Sequence, residues 1–348
     1  MCSIGKVNSL IETDKGIHPF FIIGIQRSGT TLLRLIINTH SMIAIPEEGV
    51  FWMPLIRSRH KDYNAPINKK SLRNYIKYLR KNEGFKVWKV NLDAALARLD
   101  FGKDITLRDL MLSLYIENAK VNNKRFWGDK TPSFFRKVNE LSHIFPDAKF
   151  IHIIRDGRDT FLSMRGREPG RENVAVAAFE WKFKIQKVRE SFKQLPQERR
   201  FEVRYEDILR SPEKKIVEIC NFLGVRFEAS MLDYYKSSNE FVGKHHSELI
   251  YKPISSNAAE RWKKQMSNSE NRIFEFIAKG ALKDFGYDII TKESFSFLER
   301  LRIVALVCIG LPRRCFQIFY TAFTLHIASV LGLGTFASGG KGYSVEKK

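Results

Sequence analysis

Cysteine is scarce in this chain, whose 348 residues include only four, at positions 2, 220, 308 and 315. None of the four belongs to a CxxC pair or a ligand cluster, so we expect neither a disulfide framework nor a metal site. The first 20 residues also lack the apolar run of a secretory signal, and Glu12 and Asp14 argue against a transit peptide. From these absences we expect a protein of the cytoplasm.

Acidic residues are also few: 38 Asp and Glu face 59 Lys and Arg, which gives a net charge of +21. Such an excess favours anionic partners, namely nucleotides, phosphorylated or sulfated small molecules, nucleic acid or an anionic membrane surface. With 44% hydrophobic and 28% charged residues, the composition is that of a globular protein with a full core. It excludes a disordered chain, a collagen and a disulfide-stabilised miniprotein.

The end of the chain has no acidic residue at all between positions 300 and 345. Two apolar runs, 303–312 and 315–336, meet there at Pro312. The first is shorter than the roughly 20 residues that span a bilayer, and the second carries polar side chains, among them Gln317, Thr321, Thr324, His326 and Ser329. We expect two interfacial helices hinged at Pro312, with nearby arginines on anionic lipid at 300–336: Arg300, Arg302, Arg313 and Arg314. Helices packed on the rest of the protein or across a dimer are the alternative.

Short apolar segments alternate with helical patterns in the rest of the chain. Segments 19–25, 149–154 and 201–204 each predict a buried strand followed by a loop and a helix, and the last helix covers 212–223. This alternation predicts an α/β fold with a central parallel sheet. The charge-rich region 57–125 predicts a helical insertion. We divide the chain into a lead (1–17), a main domain (18–290) and an apolar, basic, helical tail (291–348).

The first predicted strand leads into GIQRSGTT, which has the G-x-x-x-x-G spacing of a phosphate-binding loop between Gly24 and Gly29. Backbone N–H groups at the start of the following helix can hold an anion. Thr30 stands where the lysine of ATP-binding loops would be, and Arg27 offers a different cation. A plain turn made by Gly29 is the alternative.

A second segment could bind an anion at the same edge of the sheet. Arg155 follows the predicted strand 149–154, at the carboxyl edge where open α/β sheets bind ligands. Ser163 lies about two helical turns later and can face the same ligand. A salt bridge from Arg155 to Asp156 or Asp159 is the alternative.

These two segments, IIGIQRSGTTLL and IIRDGRDTFLSM, resemble the two donor-binding signatures of sulfotransferases that use 3′-phosphoadenosine 5′-phosphosulfate (PAPS). VRYEDI at 203–208 and RWK at 261–263 resemble two later motifs of that family, in the same order. The similarity covers roughly residues 18 to 288 and is greatest to the tyrosylprotein and related bacterial branch. It implies a P-loop-like three-layer fold, sulfuryl transfer with PAPS as co-substrate, and no metal.

The resemblance also implies roles for individual residues in holding the donor. In that family, the loop after the first strand binds the 5′-phosphosulfate and the segment after Ile154 binds the 3′-phosphate. Two later aromatic residues and an arginine lie near the nucleotide. The implied donor-binding residues are Arg27, Ser28, Gly29, Thr30, Thr31, Arg155, Ser163, Tyr205, Arg261 and Trp262.

Catalysis needs a base for the acceptor and a cation for the leaving phosphate. Glu47 and Glu48 follow SMIAIP, which could be the next strand, although an acidic pair is more often a solvated turn. The resemblance makes the first member, Glu47, the base. It also assigns Lys130, in GDKTP, to the leaving group together with Arg27; an exposed loop lysine is the alternative.

Two other functions compete with this interpretation. A P-loop nucleotide kinase would need the missing lysine, and a basic nucleic-acid-binding protein would show a helix-turn-helix, zinc or RRM pattern that we do not find, so no nucleic-acid partner is expected. The sequence does not identify the acceptor, which could be a small molecule, a carbohydrate, a lipid-linked sugar or a peptide. It also allows an oligomer.

Overall fold

The computed structural model describes residues 18–58, 62–165, 171–237, 248–292 and 294–330, with backbone alone for 321–330. The predicted lead at 1–17 and the end of the predicted tail, 331–348, lie outside the described residues. The division of the chain into lead, domain and tail therefore stays a prediction.

The described residues contain one sheet of five strands, all parallel, in the order β2-β3-β1-β4-β5. Phe20 of the central strand is in register with Gly128 on one side and Lys149 on the other. The strands are β1 (Phe20–Ile23), β2 (Ile43–Ala44), β3 (Phe126–Asp129), β4 (Lys149–Ile154) and β5 (Arg200–Arg204). The predicted parallel α/β sheet is confirmed.

Helices cover both faces of this sheet. Alternate side chains of β1 enter different cores: Phe21 and Ile23 pack in one, Phe20 and Ile22 in the other. This explains why β1 is a continuous apolar run, as expected of a strand buried on both faces. The helices are α1 (Thr30–Asn38), α2 (Met53–Ser58), α3 (Lys69–Lys81), α4 (Glu83–Lys86), α5 (Leu92–Leu96), α6 (Leu107–Val121), α7 (Val138–Ile144), α8 (Gly157–Met164), α9 (Val174–Lys193), α10 (Tyr205–Arg210), α11 (Pro212–Leu223), α12 (Tyr234–Ser237), α13 (Trp262–Gln265), α14 (Asn268–Asp284) and α15 (Phe297–Val330).

In the described part of the predicted helical insertion, 57–58 and 62–125, all the regular elements are helices, joined by loops. Side-chain caps begin its helices: Asn68, Asn82, Asn91 and Thr106 each accept a hydrogen bond from a backbone N–H of the first turn. Most of its aromatic residues pack into the same core as Phe21. Two of them, Trp88 and Tyr115, reach the carboxyl edge of the sheet.

Strand β3 was not predicted, because FWGD is short and contains a glycine. The structure gives the reason for that glycine: a Cβ on Gly128 would lie 2.4 Å from Cζ of Phe20 on the neighbouring strand. Only a residue without a side chain allows β3 to pair beside the Phe20 ring.

The predicted hinge in the tail is wrong. Residues Phe297–Val330 form one continuous helix with Pro312 inside it. Proline removes the hydrogen bond to the carbonyl four residues earlier, that of Cys308. Both Pro312 and Cys308 are exposed, so water can solvate that carbonyl and the helix continues.

Candidate active site

The loop between β1 and α1 has the backbone conformation of a phosphate-binding turn. Gly29 caps α1 with φ of +93°, and a Cβ there would lie 2.3 Å from Cδ2 of the Tyr205 ring. Ser28 is fully buried, and its backbone N–H bonds the Ile25 carbonyl at 3.2 Å. The loop therefore delivers the N-terminal end of α1, with its unpaired N–H groups, to the carboxyl edge of the sheet.

Arg27 in this loop is held in an uncommon backbone conformation, with φ of +67°. A non-glycine residue in the left-handed region costs about 1 kcal/mol or more. Two contacts from the second predicted segment hold it there. Arg27 Nε donates to Ser163 Oγ at 2.9 Å, and Arg155 Nη1 donates to the Arg27 carbonyl at 3.2 Å. The structure thus brings together the two segments that the spacing predicted to share one ligand.

Arg155 lies at the end of β4 with a buried guanidinium. Its Nη2 donates to the Ala258 carbonyl at 3.1 Å, and the Tyr205 ring lies 4.7 Å from the guanidinium carbon. The expected alternative, a salt bridge to Asp159, is present but loose at 3.8 Å. Tyr205 therefore lies between Gly29 and Arg155, and burial raises its pKa.

Among the described residues, the buried polar atoms without a hydrogen-bond partner include Ser28 Oγ and Arg155 Nε at this point. A buried polar group without a partner is costly, and it is expected where a ligand completes the bonding. Both atoms belong to predicted donor-binding residues. A phosphorylated ligand with several acceptor oxygens fits this pair of donors.

The other predicted donor residues differ in position. Thr30 is buried at the start of α1, and Thr31 is partly exposed beside it. Trp262 is buried, and its backbone N–H donates to Asp159 Oδ1 at 2.9 Å. The guanidinium carbon of Arg158 lies 3.4 Å from the centre of the Trp262 ring. Arg261 donates to Gln265 Oε1 in the next helical turn at 2.9 Å, and within the described part of the chain no hydrogen bond joins it to the loop.

The predicted catalytic carboxylates form two ion pairs. Glu47 Oε1 accepts from Arg34 Nη1 at 2.6 Å, and Glu48 Oε1 accepts from Lys130 Nζ at 2.6 Å. The side chains of Arg34, Glu47 and Lys130 are 6%, 10% and 1% exposed. The solvated acidic turn and the exposed lysine, the alternatives drawn from the pattern, are therefore wrong.

The insertion and β3 fix the position of these pairs. Trp88 Nε1 donates to the Glu47 carbonyl at 2.8 Å, and Thr131 Oγ1 accepts from the Gly49 N–H at 2.7 Å. Asp129 beside Lys130 is fully buried and accepts from Tyr115 OH at 2.7 Å. Burial raises the pKa of the Asp129 carboxyl to about 6.

Sequence reasoning missed Arg34 as the partner of Glu47. An arginine inside the apolar helix TTLLRLIIN is a signal in itself, because a buried guanidinium needs a carboxylate. Arg34 also donates from Nε to the Ile45 carbonyl at 3.2 Å. The helix that carries the phosphate loop therefore also orients the candidate base.

A second buried network, also missed, supports the Arg155 loop from behind. Arg158 is bonded to Asp156 through Nε at 3.0 Å and Nη2 at 2.7 Å, and to Glu275 at 2.6 Å. Glu206 accepts from the Asp156 N–H at 3.0 Å and from Tyr287 OH at 3.1 Å. Burial raises the pKa of Glu206 to about 7.

No group of three or more His, Cys, Asp or Glu side chains that could hold a metal ion is found in the described ranges. The site consists of two cation–carboxylate pairs beside a phosphate-type loop: Arg34–Glu47, which is buried, and Lys130–Glu48, in which only the lysine is fully buried. Chemically, it can bind an anionic nucleotide, accept a proton and stabilise a leaving phosphate.

Comparison with known proteins supports this description. A model described as "Sulfotransferase family" matches residues 19–229, more than half of the chain. Protein-tyrosine sulfotransferase 2 of Gallus gallus is 26% identical over 243 residues, which cover 67% of this chain and 55% of that protein. Protein-tyrosine sulfotransferase 1 of Danio rerio is 24% identical over 300 residues, which cover 79% and 74%. The chain thus spans little more than half of the first relative.

Two solved structures share the fold. The sulfotransferase domain from the curacin biosynthetic pathway superposes with a TM-score of 0.52 and 23% identity, covering 79% of this chain and 98% of that one. The sulfotransferase domain of the Synechococcus PCC 7002 olefin synthase gives the same TM-score and identity, covering 79% and 97%.

Proposed function

Because the chain belongs to the sulfotransferase family, we propose that it transfers a sulfuryl group from PAPS to a hydroxyl or amine of an acceptor. The observation that carries the proposal is the cluster of Arg27, Arg155 and Ser163 at one point of the sheet edge. The kinase and nucleic-acid alternatives are not favoured by the family match.

We assign PAPS binding to two sets of groups at the carboxyl edge of the sheet. The N–H groups at the start of α1 and the Ser28 hydroxyl would hold the 5′-phosphosulfate. The Arg155 guanidinium and Ser163 would hold the 3′-phosphate. The unpartnered Ser28 Oγ and Arg155 Nε fit these roles, because each gains a bond when the donor binds.

In the transfer step, the acceptor oxygen forms a bond to sulfur while the bond from sulfur to the bridging phosphate oxygen breaks. The acceptor proton passes to the Glu47 carboxylate, and the leaving group is adenosine 3′,5′-bisphosphate. Its growing negative charge lies near Lys130 and Arg27, which stabilise it electrostatically. Arg34 orients Glu47 through the 2.6 Å contact.

Glu48 is the competing base, because it is the more exposed of the pair and touches Lys130 directly. In that assignment Glu47 would act only through its pair with Arg34. The two assignments differ in which single amide variant stops turnover.

For the acceptor, the names of the relatives favour a protein tyrosine as the first class to test. A carbohydrate, a lipid-linked sugar and a small molecule remain in the proposal. So does a cytoplasmic location, with which the free thiols of Cys220, Cys308 and Cys315 are compatible.

The direct experiment incubates the purified chain with sulfur-labelled PAPS and each acceptor class. We expect label on one acceptor and release of adenosine 3′,5′-bisphosphate in equal amount. Transfer would be contradicted if the nucleotide were released but no label appeared on any of these acceptors or on any component of an added cell extract.

A further inference from the structure

The C-terminal helix α15 lies lengthwise against α9 along one stripe. Asn173 Nδ2 donates to the Leu306 carbonyl at 3.0 Å, and Arg314 Nε donates to Glu180 Oε1 at 3.1 Å. A Cβ on Gly310 would lie 2.5 Å from Cγ2 of Val176, so the two helices are in close contact there. The contacting positions recur at helical spacing and therefore share one face of α15.

The opposite face of α15 is apolar and exposed. Phe297, Phe316 and Phe319 are 75%, 69% and 67% exposed. Between Phe297 and Tyr320 the helix reaches a mean hydropathy of 1.4, and only 6% of that window is buried. A contiguous apolar surface of this kind marks an interaction site. Other large apolar side chains exposed along the helix are Leu298, Leu301, Val304, Ile309, Ile318 and Tyr320.

Arginines border this apolar face. At about 100° per residue, Arg302 and Arg313 fall on one edge of it and Arg300 on the other. All three are exposed. The acidic residue of the same helix, Glu299, is on the docked side and pairs with Arg272 at 3.1 Å. An apolar face edged by cations, with no acid among them, is complementary to an anionic lipid surface.

We propose that the outer face of α15 docks in the plane of an anionic bilayer, with its apolar side chains in the headgroup boundary. By length and composition the helix could also span a membrane. Spanning would require it to leave α9 and break the contacts at Leu306 and Arg314. A second copy of the chain could also cover the face, but it would bring two sets of arginines together.

The docked side of α15 is linked to the phosphate loop. Glu180, which holds Arg314, also accepts from Arg171 Nη1 at 2.9 Å, and Arg171 Nη2 donates to Gln26 Oε1 in the loop at 3.3 Å. Burial raises the pKa of Glu180, but Lys184, Arg171 and Arg314 outweigh it and lower the pKa to about 2. The carboxylate is therefore ionised at all working pH values and keeps the cluster together.

Bilayer docking would consequently hold the donor site beside the membrane. Taken with the proposed function, on which this step rests, it favours an acceptor that is itself presented at the membrane surface, such as a lipid-linked sugar or a membrane protein.

The test is co-sedimentation of the full chain with phosphatidylcholine vesicles, with and without phosphatidylglycerol. We expect binding to the anionic vesicles and much weaker binding to the neutral ones. The double variant Phe316→Asp/Phe319→Asp should lose about tenfold or more in vesicle affinity, because it removes two large apolar side chains that docking would bury in the bilayer. Phe101→Asp, at a 53% exposed phenylalanine outside the helix, should bind like the parent.

Binding of adenosine 3′,5′-bisphosphate to each variant checks the fold and separates the two proposals. Vesicle binding without nucleotide binding would support docking and contradict the function, and the reverse result would contradict docking alone. Docking is also overturned if the parent ignores anionic vesicles, if the double variant dissociates a dimer instead, or if the parent resists extraction from vesicles like a spanning protein.

Discussion

Arg27 Nε donates a 2.9 Å hydrogen bond to Ser163 Oγ, although the two residues are 136 positions apart in the chain. The bond joins the phosphate loop after β1 to the helix after β4, at adjacent strands of the sheet. It places a cation and a hydroxyl from two separate anion-binding segments within one ligand's reach.

Glu47→Gln should lower turnover by about a hundred- to ten-thousandfold, because the amide keeps the shape of the base but cannot take a proton. Affinity for adenosine 3′,5′-bisphosphate should be retained. Initial rates with labelled PAPS measure turnover, and calorimetry measures the nucleotide affinity. Glu83→Gln, at an exposed ion-paired carboxylate, is the control. If Glu48→Gln were inactive and Glu47→Gln active, the base would be Glu48.

Lys130→Met should lower turnover by about a hundred- to a thousandfold, since it removes a cation from the leaving phosphate. Nucleotide affinity should fall as well. Methionine suits the buried site, and Glu48, which is 25% exposed, can be hydrated after losing its partner. Lys86→Met removes a Lys–Glu contact of the same 2.6 Å length at an exposed site. Equal rates for both variants would exclude Lys130 from catalysis.

Gly29→Ala should destabilise the fold by about 1–3 kcal/mol, because φ of +93° is unfavourable for alanine and the new Cβ meets the Tyr205 ring at 2.3 Å. Nucleotide binding should weaken with it. Gly280→Ala, in α14 with open space around the Cβ, should stabilise by roughly 0.5–1 kcal/mol. Urea denaturation measures both. A Gly29→Ala protein as stable as the parent would contradict the tight turn.

Glu206 should make stability depend on pH. Burial raises its pKa from 4.5 to about 7, so between these values the folded state holds a proton that the unfolded chain has lost. Its contribution to stability is therefore full below about pH 4.5 and is lost as the pH rises to about 7. Glu206→Gln, which mimics the protonated form, should exceed the parent in unfolding free energy at about pH 8 but not at about pH 4. An equal difference at both pH values in urea denaturation would contradict this.

Much of the fold could be predicted because its signals are local. β4 matches the predicted segment residue for residue, and α11 runs from Pro212 to Leu223 with Gly224 at φ of +86° after it. Proline at the helix start and glycine after its end are signals of the chain itself. β3 has no such local signal, because its glycine, Gly128, is needed to make room for the Phe20 ring of the neighbouring strand.

In the site, spacing could predict Arg155 with Ser163 because both lie on one strand–helix unit. It could not predict the pairs Arg34–Glu47 and Arg158–Glu275, whose members come from different elements. Spacing within a segment carries no information on which distant carboxylate fills a buried pocket. The roles of the predicted site residues stay predictions.

The most direct test of a PAPS-type donor site is calorimetric titration of the chain with adenosine 3′,5′-bisphosphate and, separately, with adenosine 5′-monophosphate. We expect the bisphosphate to bind about ten- to a hundredfold more tightly, since a charge-assisted bond to phosphate contributes about 1.5–3 kcal/mol. Arg155→Ala and Ser163→Ala should each reduce that preference, and Arg73→Ala, at an exposed arginine of α3, should not. Equal affinity of the parent for both nucleotides, or an unchanged preference in both site variants, would contradict a donor site that holds a 3′-phosphate on Arg155 and Ser163.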